Sequence, residues 1–115
     1  MSDKLERFRA YREKMNERIL AEKNQQINRF FALDTRAYES SALDVRTKEM
    51  LGLAASMVLR CDDCIAYHVI RCLEEGVKRD ELFEVFNIGL VVGGSIVIPH
   101  LRRAVELVDE IENEK

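Results

Sequence analysis

The sequence is poor in the residues that mark fibrous and disordered proteins. It contains no tryptophan, one proline and five glycines in 115 residues. This composition excludes collagen-like and Pro/Gly-rich chains. The hydrophobic fraction of 47% also excludes the disordered class of low hydrophobicity. Because the chain is shorter than a typical domain of roughly 150 residues, we predict one domain spanning residues 1–115.

The sequence also lacks a strong charge of one sign and a long apolar run. It has 18 basic and 21 acidic residues, a formal net charge of -3, whereas nucleic-acid-binding proteins have a basic bias. The longest uncharged stretch, residues 85–99, includes Asn87 and is shorter than the roughly 20 apolar residues of a membrane helix. We therefore expect neither a nucleic-acid partner nor a membrane partner, and we assign residues 85–99 to the core.

Cysteine is scarce, and three cysteines cannot all pair within one chain. Residues 1–7 are charged from the start and contain no apolar region of a secretory signal. We therefore expect a reducing, cytoplasmic location. A close pair of cysteines in that setting indicates a catalytic or metal-binding site.

Apolar residues recur with the period of an α-helix along the whole chain. The clearest stripe, at i, i+3, i+4, i+7 and i+8, is Met50, Leu53, Ala54, Met57 and Val58. Similar patterns predict a first helix around residues 5–19, a short second one around 27–31, and further helices around 65–73, from near Asp80, and around 101–111. The fold class predicted is all-α, a compact bundle of five to six helices.

Residues that begin and end helices fall between these patterns. Asp44 is a plausible N-cap, and Gly76 with Val77 predicts a Schellman motif. The pair Gly93-Gly94 is expected to end a helix, and Pro99 suits the first turn of the last one.

The chemistry gathers in the motif Cys61-x-x-Cys64-x-x-x-His68. If a helix begins near Asp62, Cys64 lies in its first turn and His68 follows on the same face, with Cβ atoms about 5–6 Å apart. An imidazole at that spacing can reach a thiol directly or through one water. Since the thiolate is the reactive form, a neighbouring base favours reactivity.

The helix terminus alone does not activate Cys64. It contributes roughly 0.3–1 kcal/mol, less than the 1.4 kcal/mol that corresponds to one pKa unit. Asp62 and Asp63 oppose it, because nearby carboxylates disfavour a second negative charge. We therefore expect His68 to carry the activation and to need an orienting partner.

Glu49 is the candidate for that partner. In one continuous helix it would lie about 18 Å from Cys61, so the interpretation requires a chain reversal near residues 59–61. An antiparallel helix pair turning there would place Glu49 opposite residues 68–72. A carboxylate beside His68 would fix the ring orientation and favour the imidazolium.

The pattern of these residues resembles a known family. Glu49, the motif from Cys61 to His68, Gly76 and a Gly-Gly pair are similar to the carboxymuconolactone decarboxylase superfamily, within it to alkyl hydroperoxidase D-like proteins. Four positions must agree in spacing and helical context, so the pattern is fairly specific. The resemblance covers about residues 27–111, and an N-terminal helix over residues 1–24 is expected outside the common core.

The resemblance implies an all-α fold that assembles as trimers or hexamers, and a thiol-dependent oxidoreductase of peroxidase or disulfide reductase type. By position, Cys64 matches the peroxide-reactive cysteine and Cys61 its partner and proton donor. Glu49 and His68 match the proton relay of the family. The implied partners are a small peroxide or disulfide substrate and an external dithiol reductant. Thiol–disulfide exchange needs no bound cofactor, so none is expected.

One departure from the family concerns Asp63. Alkyl hydroperoxidase D proteins carry a second relay histidine immediately before the second cysteine, where this chain has Asp63. This favours general thiol–disulfide activity over a lipoamide-linked peroxidase role. The decarboxylases of the superfamily generally lack the paired cysteines, so the pair argues against their activity.

Three alternatives stay open at this point. Cys61, Cys64 and His68 are all zinc-ligand types, but a structural zinc site needs four ligands, and only Cys72 or His100 could be added. We therefore predict no metal. A lyase could use His68 and Glu49 as acid and base on a small lactone acid, without either thiol. A non-enzymatic helical assembly module is the third alternative.

The remaining reactive or aromatic residues near the motif have simpler interpretations. We expect Cys72 to be a small apolar core residue, His100 to be a surface or capping histidine, and Tyr67 to serve packing.

The segment around Gly89-x-x-x-Gly93 allows close helix approach. Its surroundings are more apolar than one small domain can easily bury, and the residues concerned are Ile88, Leu90, Val91, Val92, Ile96, Val97 and Ile98. We predict that part of this segment forms a subunit interface of a homo-oligomer.

Overall fold

The computed structural model describes residues 3–113 and is all-helical over that range. Its six α-helices are α1 (Asp3–Ala21), α2 (Gln25–Ala37), α3 (Val45–Leu59), α4 (Asp62–Glu74), α5 (Arg79–Gly93) and α6 (Ile98–Asn113), with a 3₁₀ turn at Ser95–Val97. The all-α prediction and its helix count are confirmed. No helix within residues 3–113 is long and apolar enough to cross a bilayer.

The described chain divides into two compact units, residues 3–39 and residues 40–113. The first unit holds α1 and α2. Asn24 caps α2 by accepting a hydrogen bond from the backbone N–H of Ile27 at 3.1 Å. The ends of the predicted domain, residues 1–2 and 114–115, lie outside the described residues, and the single-domain assignment stays a prediction.

The second unit holds α3 to α6 and the hydrophobic core. α3 packs against α4 and α5, and α6 packs against α4. The stripe predicted on α3 faces this core through Leu53 and Met57, which are fully buried. They meet buried side chains of the other helices, among them Val69, Cys72, Leu82, Phe86, Ala104 and Val108.

The predicted helix ends are present. Asp44 Oδ1 accepts from the backbone N–H of Thr47 at 2.8 Å, which confirms Asp44 as the N-cap of α3. α4 ends in a Schellman motif, because the N–H of Gly76 donates to Leu73 and that of Val77 to Cys72. Gly76 has a φ of 85°, in the left-handed region that favours glycine.

The two glycines of the G-x-x-x-G pattern serve packing within the chain. A Cβ on Gly89 would come within 3.1 Å of Met57 Cβ on α3. A Cβ on Gly93 would come within 2.5 Å of Val97 Cγ2 and within 3.5 Å of Val58 Cα. Gly89 and Gly93 therefore let α5 approach α3 closely.

Candidate active site

The chain reverses direction between α3 and α4 at Arg60. This residue adopts a left-handed conformation, with φ 60° and ψ 43°. The N–H of Arg60 donates to the Met57 carbonyl at 3.0 Å, and the N–H of Cys61 donates to the Ser56 carbonyl at 3.1 Å. A non-glycine residue in this region costs roughly 1–2 kcal/mol. The predicted reversal near residues 59–61 is thereby confirmed.

The cysteine pair lies at the start of α4. Cys61 is the N-cap, and its Sγ accepts a hydrogen bond from the backbone N–H of Cys64 at 3.3 Å. Cys61 is half-buried and Cys64 is exposed, and both are thiols. The predicted placement of the Cys-x-x-Cys motif at a helix N-terminus is correct, and its second cysteine is exposed.

Glu49 and His68 meet across α3 and α4. Glu49 Oε1 lies 2.8 Å from His68 Nδ1, and both residues are buried, with 2% and 8% of their surfaces exposed. An ionised carboxylate only accepts hydrogen bonds, so opposite an ionised Glu49 a neutral ring carries its proton on Nδ1 and its lone pair on Nε2. The Tyr67 ring stands edge-on to the imidazole at 5.2 Å between centroids, which gives Tyr67 the packing role predicted for it.

Arg71 is half-buried beside this pair, and its contact was not predicted from the sequence. Its Nε lies 3.6 Å from Glu49 Oε2. Its terminal nitrogens donate to Glu74 at 2.8 Å and Glu75 at 3.0 Å. The hydrogen bond with Glu74, against the opposing effect of burial, raises the pKa of Arg71 above its ordinary value. Helical spacing could have placed Arg71 near Glu49 and His68, because Arg71 follows His68 by three residues on the same helix face.

Cys72 is a core residue, as predicted. Its side chain is fully buried, and burial, followed by the charge of Glu49, raises its thiol pKa to about 12. Since the thiolate is the reactive form, Cys72 stays inert while Cys61 and Cys64 lie at the accessible helix start.

His100 is half-buried and makes a contact that the sequence did not predict. It reaches from α6 to the start of α4, where its Nδ1 lies 2.7 Å from Asp62 Oδ1. Arg103 donates from Nε to Asp62 Oδ2 at 3.0 Å. Burial would raise the pKa of Asp62, but these hydrogen bonds outweigh it and hold that pKa below its ordinary value.

Across residues 3–113, no group of three or more His, Cys, Asp and Glu side chains is arranged to hold a metal ion. The cluster instead combines two thiols with a hydrogen-bonded carboxylate and imidazole, which suits nucleophilic and proton-transfer chemistry.

Known structures closely resemble this chain. The protein TM1620 of Thermotoga maritima is 52% identical, with a TM-score of 0.92 over 94% of this chain and 95% of that one. A second structure of TM1620, with 51% identity, a TM-score of 0.90 and coverage of 93% and 91%, describes a carboxymuconolactone decarboxylase family protein for which a part in the antioxidative response has been suggested. The family protein lpg0406 of Legionella pneumophila is 26% identical, with a TM-score of 0.79 and 97% coverage of both chains.

The sequence comparisons agree with the structural ones. An uncharacterised protein encoded in the cox locus of Paracoccus denitrificans is 29% identical over 83 residues, which is 72% of this chain and 75% of the relative. The pattern that defines the carboxymuconolactone decarboxylase family matches residues 27–107 and thus includes α3, α4 and the whole candidate site. The chain therefore belongs to the carboxymuconolactone decarboxylase family.

Proposed function

We propose that the protein is a thiol-dependent oxidoreductase that cycles Cys61 and Cys64 between dithiol and disulfide. The observation that carries the proposal is the 2.8 Å contact between Glu49 and His68, one helical turn beyond an exposed Cys64. Glu49 fixes the ring through Nδ1, so Nε2 is the nitrogen that exchanges a proton with the thiol. A buried carboxylate–imidazole pair next to an accessible thiol is the arrangement of an activated nucleophile.

With a hydroperoxide, the cycle has two oxidative steps. His68 takes the proton of Cys64, and the thiolate attacks one peroxide oxygen. The O–O bond breaks, Cys64 becomes a sulfenic acid, and the leaving alkoxide receives the proton back as an alcohol. Cys61 then attacks the sulfenic acid, so that the Cys61–Cys64 disulfide forms and water leaves.

With a small disulfide, Cys64 attacks one sulfur, the S–S bond of the substrate breaks, one thiol leaves, and Cys64 is left in a mixed disulfide with the other half. Cys61 then displaces the second thiol and closes the same intramolecular disulfide. In both cases an external dithiol reduces the Cys61–Cys64 disulfide and becomes a disulfide itself. No step requires a bound cofactor.

The suggested antioxidative role of TM1620 supports a peroxide or disulfide as the substrate. Buried Cys72 takes no part, which leaves two reactive thiols, the number that one cycle uses. The cycle also depends on a supply of reducing dithiol, which is consistent with a cytoplasmic location.

We also propose that the protein works as a homo-oligomer, a trimer or a hexamer. The assignment of residues 85–99 to the core is wrong for four large apolar residues, which are exposed to solvent in one chain, namely Ile88, Val91, Val92 and Ile96. Val91 is 81% exposed, which is unfavourable for an isolated chain in water. A second copy of the chain would bury these residues.

Turnover with defined substrates tests the proposed function. Reduced protein is mixed with an organic hydroperoxide and, separately, with a small disulfide, each with excess dithiol. We expect consumption of substrate and dithiol in equal amounts, and loss of turnover in Cys64→Ser. If a lactone acid were instead converted by the double variant Cys61→Ser/Cys64→Ser, the site would be a lyase that uses Glu49 and His68 without thiols.

A further inference from the structure

A second cluster of polar side chains borders the cysteine pair on the side of α6. Asp62 follows Cys61 directly in the chain. Each of its carboxylate oxygens contacts a side chain of α6. His100 Nδ1 lies 2.7 Å from Oδ1, and Arg103 Nε lies 3.0 Å from Oδ2. None of the steps proposed above uses these three side chains.

This cluster matters because the Asp62 carboxylate is a negative charge next to a thiol, and a negative charge disfavours the thiolate. A carboxylate on the residue next to a cysteine, without compensation, raises the thiol pKa by on the order of half a unit to one unit. A guanidinium at hydrogen-bond distance cancels much of that field. The lowered pKa of Asp62 means that its carboxylate is charged at neutral pH, so there is a charge to cancel.

Other charged or titratable groups also lie close to Cys61 and Cys64 in the sequence. Arg60 precedes Cys61, Asp63 precedes Cys64, and His68 lies one turn further, facing Glu49 from α3. These groups stay unchanged in the variants below, so their fields act as a constant background.

We propose that His100 and Arg103 are positioning residues that hold the Asp62 carboxylate against α6 and offset its charge, and thereby keep the adjacent Cys61–Cys64 pair able to ionise. His100 contacts the carboxylate oxygen that Arg103 leaves free and so fixes the orientation of the group. Arg103 contributes the permanent positive charge. This inference deepens the proposed function and rests on it for its purpose, although the thiol pKa can be measured without any turnover.

The test is the pH dependence of iodoacetamide labelling of the full-length protein, measured separately at Cys61 and Cys64 by peptide mass spectrometry. The variants are Arg103→Gln, Arg103→Lys, Asp62→Asn and the double variant Asp62→Asn/Arg103→Gln. Cys72 is an internal control, because its thiol pKa near 12 keeps it unlabelled in the folded protein.

We expect Arg103→Gln to raise the lower of the two thiol pKa values by about half a unit to one unit. Arg103→Lys keeps the charge and is expected to stay near the wild type. Asp62→Asn removes the negative charge and is expected to lower this thiol pKa. The double variant removes both charges and is expected to return the thiol pKa to the wild-type value or below. His100→Ala is expected to raise it less than Arg103→Gln, and 1 M salt to shrink every shift.

A merely structural clamp predicts a different pattern, because Asp62→Asn and Arg103→Gln would then act in the same direction and the double variant would not revert. That pattern, or an unchanged thiol pKa in Arg103→Gln, would overturn the proposal. If Arg103→Gln fails to fold, His100→Ala decides: a higher thiol pKa supports the proposal, and an unchanged or lower one contradicts it.

The outcomes also separate this proposal from the proposed function. A wild-type protein without turnover whose variants show the expected reversal keeps the positioning role and loses the oxidoreductase role. A wild-type protein with turnover and no thiol pKa shifts in the variants keeps the oxidoreductase role and loses the positioning role.

Discussion

Glu49 Oε1 lies 2.8 Å from His68 Nδ1, although 19 residues separate the two in the chain. The left-handed turn at Arg60 brings them together, because it folds α4 back along α3. The contact is buried, so the hydrogen bond is protected from competing water. This pair defines how Cys64 would be activated.

Replacing Glu49 by Gln is expected to slow the reaction of Cys64 with hydroperoxide at pH 7 by about 10- to 100-fold. An amide keeps the size of the side chain but loses the charge that stabilises the imidazolium. Stopped-flow mixing of reduced protein with hydroperoxide measures the rate. Glu84→Gln is the matched control, since it makes the same change at an exposed position on α5. An equal rate in Glu49→Gln and wild type would remove Glu49 from the relay.

Replacing Cys61 and replacing Cys64 are expected to block different steps of the cycle. Cys61→Ser keeps the attacking thiol, so one equivalent of hydroperoxide should produce a Cys64 sulfenic acid that a dimedone reagent traps. Cys64→Ser should yield no trapped product. Peptide mass spectrometry locates the adduct, and an adduct on Cys61 in Cys64→Ser at the wild-type rate would reverse the assignment.

Cys72 gives a prediction for the pH dependence of stability. Folding raises its thiol pKa from 9.0 to about 12, so the folded state retains a proton that the unfolded state loses between those values. The free energy of unfolding must therefore fall with rising pH in that window. Relative to Cys72→Ala, the wild type is expected to lose about 1.4 kcal/mol between pH 8 and pH 10.

Urea unfolding in the presence of a reductant measures this difference, since all other titrating groups are shared by the two proteins. A constant difference between wild type and Cys72→Ala from pH 8 to pH 10 would contradict the raised thiol pKa.

Gly93 is expected to tolerate no side chain. The Cβ of Gly93→Ala would lie 2.5 Å from Val97 Cγ2, and Val97 is fully buried and branched at Cβ. We expect a loss of about 1–3 kcal/mol in the free energy of unfolding, reduced somewhat by the higher helix propensity of alanine. The same change in a Val97→Ala background should cost less. Equal costs in both backgrounds would show that the predicted clash does not occur.

The exposed apolar segment leads to a prediction of oligomeric state. Val91→Lys places a charge where Val91 is 81% exposed in the single chain. If a second copy covers this position, the variant should shift to a smaller assembly in size-exclusion chromatography with light scattering. Glu84→Lys, also exposed on α5, is the matched control and should leave the mass unchanged. A wild type that is already monomeric would refute the interface.

Local patterns in the sequence were sufficient to predict most of the fold. The apolar stripe through Leu53 and Met57, the N-cap at Asp44 and the Schellman glycine at Gly76 depend on neighbours within one or two helical turns. Such features follow from spacing and backbone preference alone. The Glu49–His68 contact was also predictable, because the reversal before α4 leaves α3 and α4 antiparallel.

The contacts that the sequence did not reveal join distant segments or depend on side-chain direction. Asp62 and His100 are separated by 38 residues, and their contact depends on how α6 crosses the start of α4. Arg71 carried a signal in its helical spacing, but three carboxylates compete for it, and spacing alone does not assign the contact to Glu49. Gly89 and Gly93 indicated close approach without identifying α3 as the partner.

Cys61 and Cys64 are proposed to form one redox-active pair, and mass spectrometry after mild oxidation is the decisive experiment. Fully reduced protein receives one equivalent of hydroperoxide, and its intact mass is measured. The same sample is then digested without reduction to locate the linked cysteines. The expected product is two hydrogen atoms lighter than the starting chain, with Cys61 and Cys64 linked to each other and Cys72 still a thiol. An unchanged mass, or oxygen added to Cys64 with Cys61 still reduced, would contradict the claim.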